Sequence, residues 1–286
     1  MPLWFLLTIS SVLLLGIFNV LTKRILNENH DPVVYGGLMQ LSVGLLAIIP
    51  ALISGFTFIP TPENILILVL VGAVYTAGAT LFYTGLAKID MSESAIIDAS
   101  GGLWGICIGF LILHEAITFE KLMAILLIGC GVAIVSFERG SKKTSGNGRW
   151  LVLASTVLYA LGAMLDKKLT GSSTPISYVV CSFCTAGSTM VLVHHRRVAR
   201  FFAQDKAVLF TFIRKTILNA VLILVVYVLQ FSAYTSGGEG SKVFAVAQAQ
   251  SVVTAIFGIV LLNERKRIGY KLLGAAIVCV GLLRIS

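Results

Sequence analysis

The sequence predicts an all-α integral membrane protein, with ten transmembrane helices forming two inverted five-helix repeats. Three observations carry that expectation. The apolar residues fall in blocks of membrane-spanning length, the basic residues crowd into alternate loops, and the chain resembles itself at an offset near 150 residues.

Of 286 residues, 57% are hydrophobic and 12% charged, about half the charge of a soluble domain. The apolar residues form ten blocks, at 3–22, 33–54, 64–87, 91–113, 119–137, 149–167, 175–193, 215–235, 241–262 and 268–285. Most are close to the ~20 residues an α-helix needs to cross about 30 Å of hydrocarbon. Lipid offers the backbone no hydrogen bonds, so blocks of this kind span as helices. The first block is not a cleavable signal, because "MPLWFLL" is uncharged and Lys23–Arg24 follow the apolar run rather than precede it. Only one connection is long, 194–214, "HHRRVARFFAQDKAVLFTFIR". It fits either a basic amphipathic helix on the membrane surface or a plain cytoplasmic connector.

The net charge is +9, but its placement points to membrane topology rather than nucleic acid. Of the 22 Lys and Arg residues, all but Lys121, Lys167, Lys168, Lys242 and Arg284 fall in the 1–2, 3–4, 5–6, 7–8 and 9–10 connections. By the positive-inside rule those connections face the cytoplasm and both termini lie outside. The expected location is the plasma (inner) membrane, as a monomer or a homodimer.

Self-similarity divides the chain. "EKLMAILLIGCGVAIVS" (120–136) aligns with "YKLLGAAIVCVGLLRIS" (270–286), pairing Gly131 with Gly281. "GFLILHE" (109–115) aligns with "GIVLLNE" (258–264), pairing Gly109 with Gly258 and Glu115 with Glu264. "SSVLLLGIFNVLTKR" (10–24) aligns with "ASTVLYALGAMLDKK" (154–168). The expected division is therefore 1–137, a cytoplasmic linker at 138–148, and 149–286. Five is an odd number of crossings, so the second half enters from the opposite side. Inverted repeats are the architecture of alternating access in secondary transporters.

Two five-helix halves, each with a Glu closing its fourth helix before a short turn into a Gly-rich fifth, resemble the drug/metabolite transporter superfamily. Within it, the chain is most similar to EamA-type transporters. The resemblance implies a pathway between the halves, lined mainly by blocks 1, 3, 4, 6, 8 and 9. It also implies a cargo among amino acids, other small metabolites, sugars, nucleotide-sugars or drugs.

Asp98 stands inside the fourth block, about seven residues from its start, or roughly 10 Å of helical rise. A carboxylate at such depth costs a few kcal/mol and ordinarily faces a bundle interior or a wet cavity. Three roles fit: binding the amine of a cargo, carrying a proton, or bonding structurally to a neighbouring helix. Ser94, Asp98, Gly101, Gly102, Gly105 and Gly109 share one broad face, and the glycines suit close helix packing. Trp104 sits at mid-span, where its N–H needs a partner or a cavity. The matching stretch of the ninth block replaces Asp98 by Ala247 and supplies Gln248, Gln250, Ser251 and Thr254. These amides and hydroxyls suit either cargo or interhelical bonding. Asn19, Gln40, Tyr75, Thr76, Tyr83, Tyr159, Tyr227 and Gln230 complete a polar and aromatic ring at mid-depth. Glu115 and Glu264, at helix ends, are expected to accept backbone N–H bonds from the next helix start.

Other chemistries lack their parts. "CSFC" at 181–184 has no second pair or His cluster beside it, and the five cysteines are expected to be buried free thiols. The sequence holds no HExxH, no GxSxG and no GxxxxGK[ST], which argues against an enzyme, gives the chain no ATP motor of its own and implies no cofactor. The expected function is alternating-access export of small polar metabolites such as amino acids or amine-bearing compounds, possibly proton-coupled through Asp98. A multidrug or nucleotide-sugar carrier is the alternative, with an intramembrane enzyme behind it.

Overall fold

The structure, a computed structural model, describes residues 1–286 except 27, 29–30, 87, 89–96, 99, 137–145, 251, 254–267 and 286. Ser94, Ser251, Thr254, Gly258, Glu264 and most of the 138–148 linker therefore lie outside the described residues.

The described helices are α1 (Leu3–Leu26), α2 (Pro32–Ile53), α3 (Pro62–Leu86), α4 (Gly101–Leu113), α5 (Phe119–Ser136), α6 (Gly146–Leu169), α7 (Pro175–Val193), α8 (His195–Phe202), α9 (Lys206–Thr235), α10 (Gly240–Ala247) and α11 (Ile268–Ile285). Local chemistry sets several starts. Asp31 accepts the N–H groups of Val33 and Val34 ahead of Pro32, satisfying donors that a helix start leaves open. Pro175 occupies the first turn of α7, where its missing N–H costs nothing. Six helices (α1, α2, α3, α6, α7 and α9) are long and apolar enough to cross a membrane. Ile49, Leu52, Leu66, Leu111 and Leu218 lie on the exposed surface, as a lipid-facing rim requires.

The 194–214 segment divides in two, and only its first part keeps the basic amphipathic helix expected of it. Residues 195–202 form α8, and α9 then begins at Lys206, nine residues before the expected 215. Asp205 is the reason: its carboxylate accepts the Ala207 N–H at 2.7 Å and starts the helix ahead of the apolar "AVLFTF" run. The cysteines also differ. Cys107, Cys130 and Cys279 are exposed, and Cys181 and Cys184 half-buried; all five are free thiols on apolar helices.

Among the described residues, blocks 4 and 9 each contain an interruption of the regular helix. Ser100 N–H bonds Ile97 O at 3.0 Å, and Leu103 N–H bonds Ser100 O at 3.0 Å, before α4 becomes regular. In the ninth block α10 ends at Ala247, where Gln248 and Ala249 N–H bond the carbonyls of Ala245 and Val246 at 3.1 and 3.0 Å. These three-residue steps are tighter than α-helical spacing. On the sequence alignment, Ser100 matches Ala249, so the two interruptions correspond.

Helices pair across the chain: α1 with α9, α2 with α7, α3 with α6, and α5 with α11. The α5–α11 seam is closest at the aligned glycines. A Cβ on Gly131 would lie 2.5 Å from Val278 Cγ2 and 2.7 Å from Gly274 O, and one on Gly281 would lie 2.9 Å from Ala124 O. Only glycine permits that approach from both sides.

Candidate functional site

A cavity of about 260 Å³ opens between the helices. That is slightly below the 300–1,000 Å³ typical of drug-sized ligand pockets. α6 supplies a stripe along its length: Thr156, Tyr159, Ala163 and Asp166 all line it. Their spacing of three, four and three residues keeps one helix face toward the cavity.

At one level of this stripe, Thr156 Oγ1 donates to Asp98 Oδ1 at 2.8 Å. At the other, Asp166 is 2% exposed and accepts two phenolic hydroxyls, Tyr75 to Oδ2 at 2.5 Å and Tyr178 to Oδ1 at 2.6 Å. Its neighbour Lys167 points away, donating to the Tyr234 carbonyl at 2.6 Å. Between the acids the wall is aromatic. Tyr159 packs against Tyr75 and Phe82 with ring centroids 6.1 Å apart in each pair, and Phe183 meets Tyr227 at 4.7 Å. Among the described residues, no Lys, Arg or His lines the cavity.

The structure brings Asn19, Tyr75, Tyr83, Asp98, Tyr159, Tyr227, Gln230, Gln248 and Gln250 onto this one cavity. Asn19 Nδ2 donates to Gln250 Oε1 at 3.4 Å, joining α1 to the ninth block. Gln248 sits at the α10 interruption, against Gly101: a Cβ there would lie 3.0 Å from Gln248 Nε2. Thr76 instead donates to the Ala186 carbonyl at 3.2 Å. Trp104 does not reach the cavity; it is 37% exposed on the outer surface. Trp104 lies six positions beyond Asp98, across the turn at Ser100, and its side chain leaves on a different face.

Blocks 2 and 7, not implied by the resemblance, also contribute, through Met39, Gln40, Ser182, Phe183 and Ala186. Gln40 Oε1 is buried with no hydrogen-bond partner. The principal residue that sequence reasoning missed is Asp166. Followed by Lys167–Lys168, it reads as part of a charged helix end. The signal that identifies it is its register with Thr156 and Tyr159.

Glu115 does accept backbone N–H bonds, but not from the helix that follows it. It takes Gly240 N–H at 2.5 Å, Ser241 N–H at 3.1 Å and the Ser241 hydroxyl, capping α10 from the other half of the chain. Lys121, 3% exposed, lies 3.7 Å from Glu115 and 2.5 Å from Glu239. Burial opposes the charge of Glu239, but hydrogen bonds from Lys121 and Lys242 outweigh it and hold that carboxyl below its ordinary range. Among the described residues, no three His, Cys, Asp or Glu side chains are placed to hold a metal ion.

Residues 2–137 match the EamA-like transporter family. An uncharacterized transporter of Bacillus subtilis (strain 168), YvbV, is 28% identical over 244 residues, spanning 82% of this chain and 75% of that protein. A crystal structure of another protein superposes with a TM-score of 0.76, covering 99% of this chain and 96% of that one at 13% identity. That likeness speaks for the fold alone.

Proposed function

We propose that this chain is an EamA-type member of the drug/metabolite transporter superfamily, and that it exports small amine-bearing metabolites by alternating access. The observation that carries the cargo class is the chemistry of the cavity wall: two carboxylates, amides and aromatic faces, with no basic side chain among the described residues. A cationic or zwitterionic amine finds acceptors there. A nucleotide-sugar would bring phosphate charge to a wall whose described residues include no Lys or Arg to meet it.

The mechanism follows from the repeat. Exchanging the halves, α1 for α6, α2 for α7, α3 for α9, α4 for α10 and α5 for α11, carries the α1–α9 pair onto α6–α3. The same exchange returns α2–α7 and α5–α11 to themselves. The observed pairing therefore supports ten spans in two inverted halves. The matched interruptions beside Asp98 and at Gln248 support a site at the repeat interface, where transporters place broken helices. The protein sits in the plasma membrane with both termini outside, and Asp98 takes up a proton when the amine leaves.

Purified protein in liposomes, loaded with labelled amines or amino acids under an imposed pH gradient, tests this. Gradient-driven flux of an amine is expected, and Asp98→Asn is expected to abolish the driving force while leaving exchange. Absence of flux for every amine would remove the cargo class. Unchanged kinetics in Asp98→Asn would remove the proton role.

A further inference from the structure

Resting on that reading, we propose that Asp166 is a second cation site and that the cargo carries two positive charges, a diamine or a longer linear polyamine with one ammonium at each acid. Among the described residues, Asp166 has no Lys, Arg or His within ion-pair distance, and its partners are two neutral hydroxyls. A carboxylate offers about four acceptor positions, so two remain for a ligand. The cavity that Asp166 lines is where a cationic partner can reach it.

Three further observations fit two ammonium groups better than one. Asp98 is docked on Thr156, and Asp166 lies ten residues along the same helix, a rise of about 15 Å. An ammonium–carboxylate contact of about 2.8 Å at each end leaves about 9 Å between the two nitrogens, the length of a linear alkyl chain. The wall between the acids is Tyr159 with Tyr75 and Phe82 around it. Those rings suit methylene groups and attract nearby cations through their faces. The buried, unpartnered Gln40 Oε1 adds another acceptor to the same cavity. A ligand rich in N–H donors, and with none of the carboxylate of an amino acid, complements all of these at once.

The test is binding to the purified protein in detergent, by calorimetry, of α,ω-diamines of increasing chain length. Monoamines of matched carbon count and a zwitterionic amino acid are the comparisons. The longer diamines are expected to bind at least about tenfold tighter than their monoamine counterparts, the equivalent of ~1.4 kcal/mol. In Asp166→Asn that advantage is expected to vanish, the longer diamines binding no tighter than their monoamine counterparts. Should Asp166→Asn fail to fold, Tyr178→Phe keeps the carboxylate and removes one hydroxyl, and is expected to weaken diamines selectively. Equal affinity for diamines and monoamines, or preference for the amino acid, would overturn the two-charge proposal and leave the transporter reading intact. Binding of no amine at all would overturn that reading as well.

Discussion

Thr156 Oγ1 lies 2.8 Å from Asp98 Oδ1 and 3.0 Å from the Val152 carbonyl oxygen, and one hydroxyl proton cannot serve both at full strength. When Asp98 is charged, the proton belongs to it. When Asp98 is itself protonated, it can donate to Thr156, whose own proton is then free for Val152. Thr156→Val deletes this adjustable partner. A hydrogen bond to a charged group is worth about 1.5–3 kcal/mol; gradient-driven amine flux is expected to fall about tenfold or more, with Thr156→Ser restoring it. Liposome flux under a pH gradient checks both variants.

Glu115 fastens α10 to the end of α4 through two backbone N–H groups, a serine hydroxyl and the nearby Lys121. Glu115→Ala leaves the two N–H groups and the Ser241 hydroxyl without their acceptor in a half-buried place, while Lys121 keeps Glu239 and the Ala116 carbonyl. The expected loss is about 3 kcal/mol, as for other broken buried pairs, read as a lower thermal midpoint in detergent. Glu115→Gln, which keeps one acceptor oxygen, is expected to fall between.

Glu239 supplies the pH dependence at the same end. Its folded carboxyl is held below its ordinary range by Lys121 and Lys242, so the unfolded chain protonates first as pH falls. The stabilisation is present above the ordinary carboxylate range and lost as pH drops through the lower, folded value. Wild type is expected to exceed Glu239→Gln in thermal midpoint at pH 7, with the gap closing on acidification. A gap that stays constant with pH would refute the assignment.

Asn219, 1% exposed, donates to the Thr22 hydroxyl at 2.9 Å and the Tyr35 hydroxyl at 2.7 Å, tying α9 to α1 and α2. It does not line the cavity. Asn219→Ala is expected to cost about 1–3 kcal/mol through the unsatisfied partners and to leave amine affinity unchanged. Melting and calorimetry on the same sample separate the two effects.

The sequence exposes whatever periodicity and polarity control. Asp98 was legible because a lone acid in an apolar block has few reasons to be there. The tyrosines and amides were legible because their mid-depth positions converge once helices pack. Trp104 was misplaced because depth was read without angle, and a helix fixes both. Asp166 was obscured by two adjacent lysines, which turn a buried acid into what looks like a solvated terminus. The cap that Glu115 places on α10 reaches 125 residues along the chain, and no local pattern encodes a partner so distant. The interruptions at Ser100 and Gln248 leave no proline behind, so hydropathy runs straight through them.

The glycine seam between α5 and α11 has a consequence for movement. Neither helix contributes a described residue to the cavity wall, yet their backbones touch where Gly131 and Gly281 face each other's helix. On the proposed alternating-access reading, the protein needs a place that stays put while the rest swings, and a close contact in which Val278 and Ile128 seat on the two glycines makes a good axle. Enlarging either glycine would then jam the turnover cycle while leaving the equilibrium grip on cargo as it was.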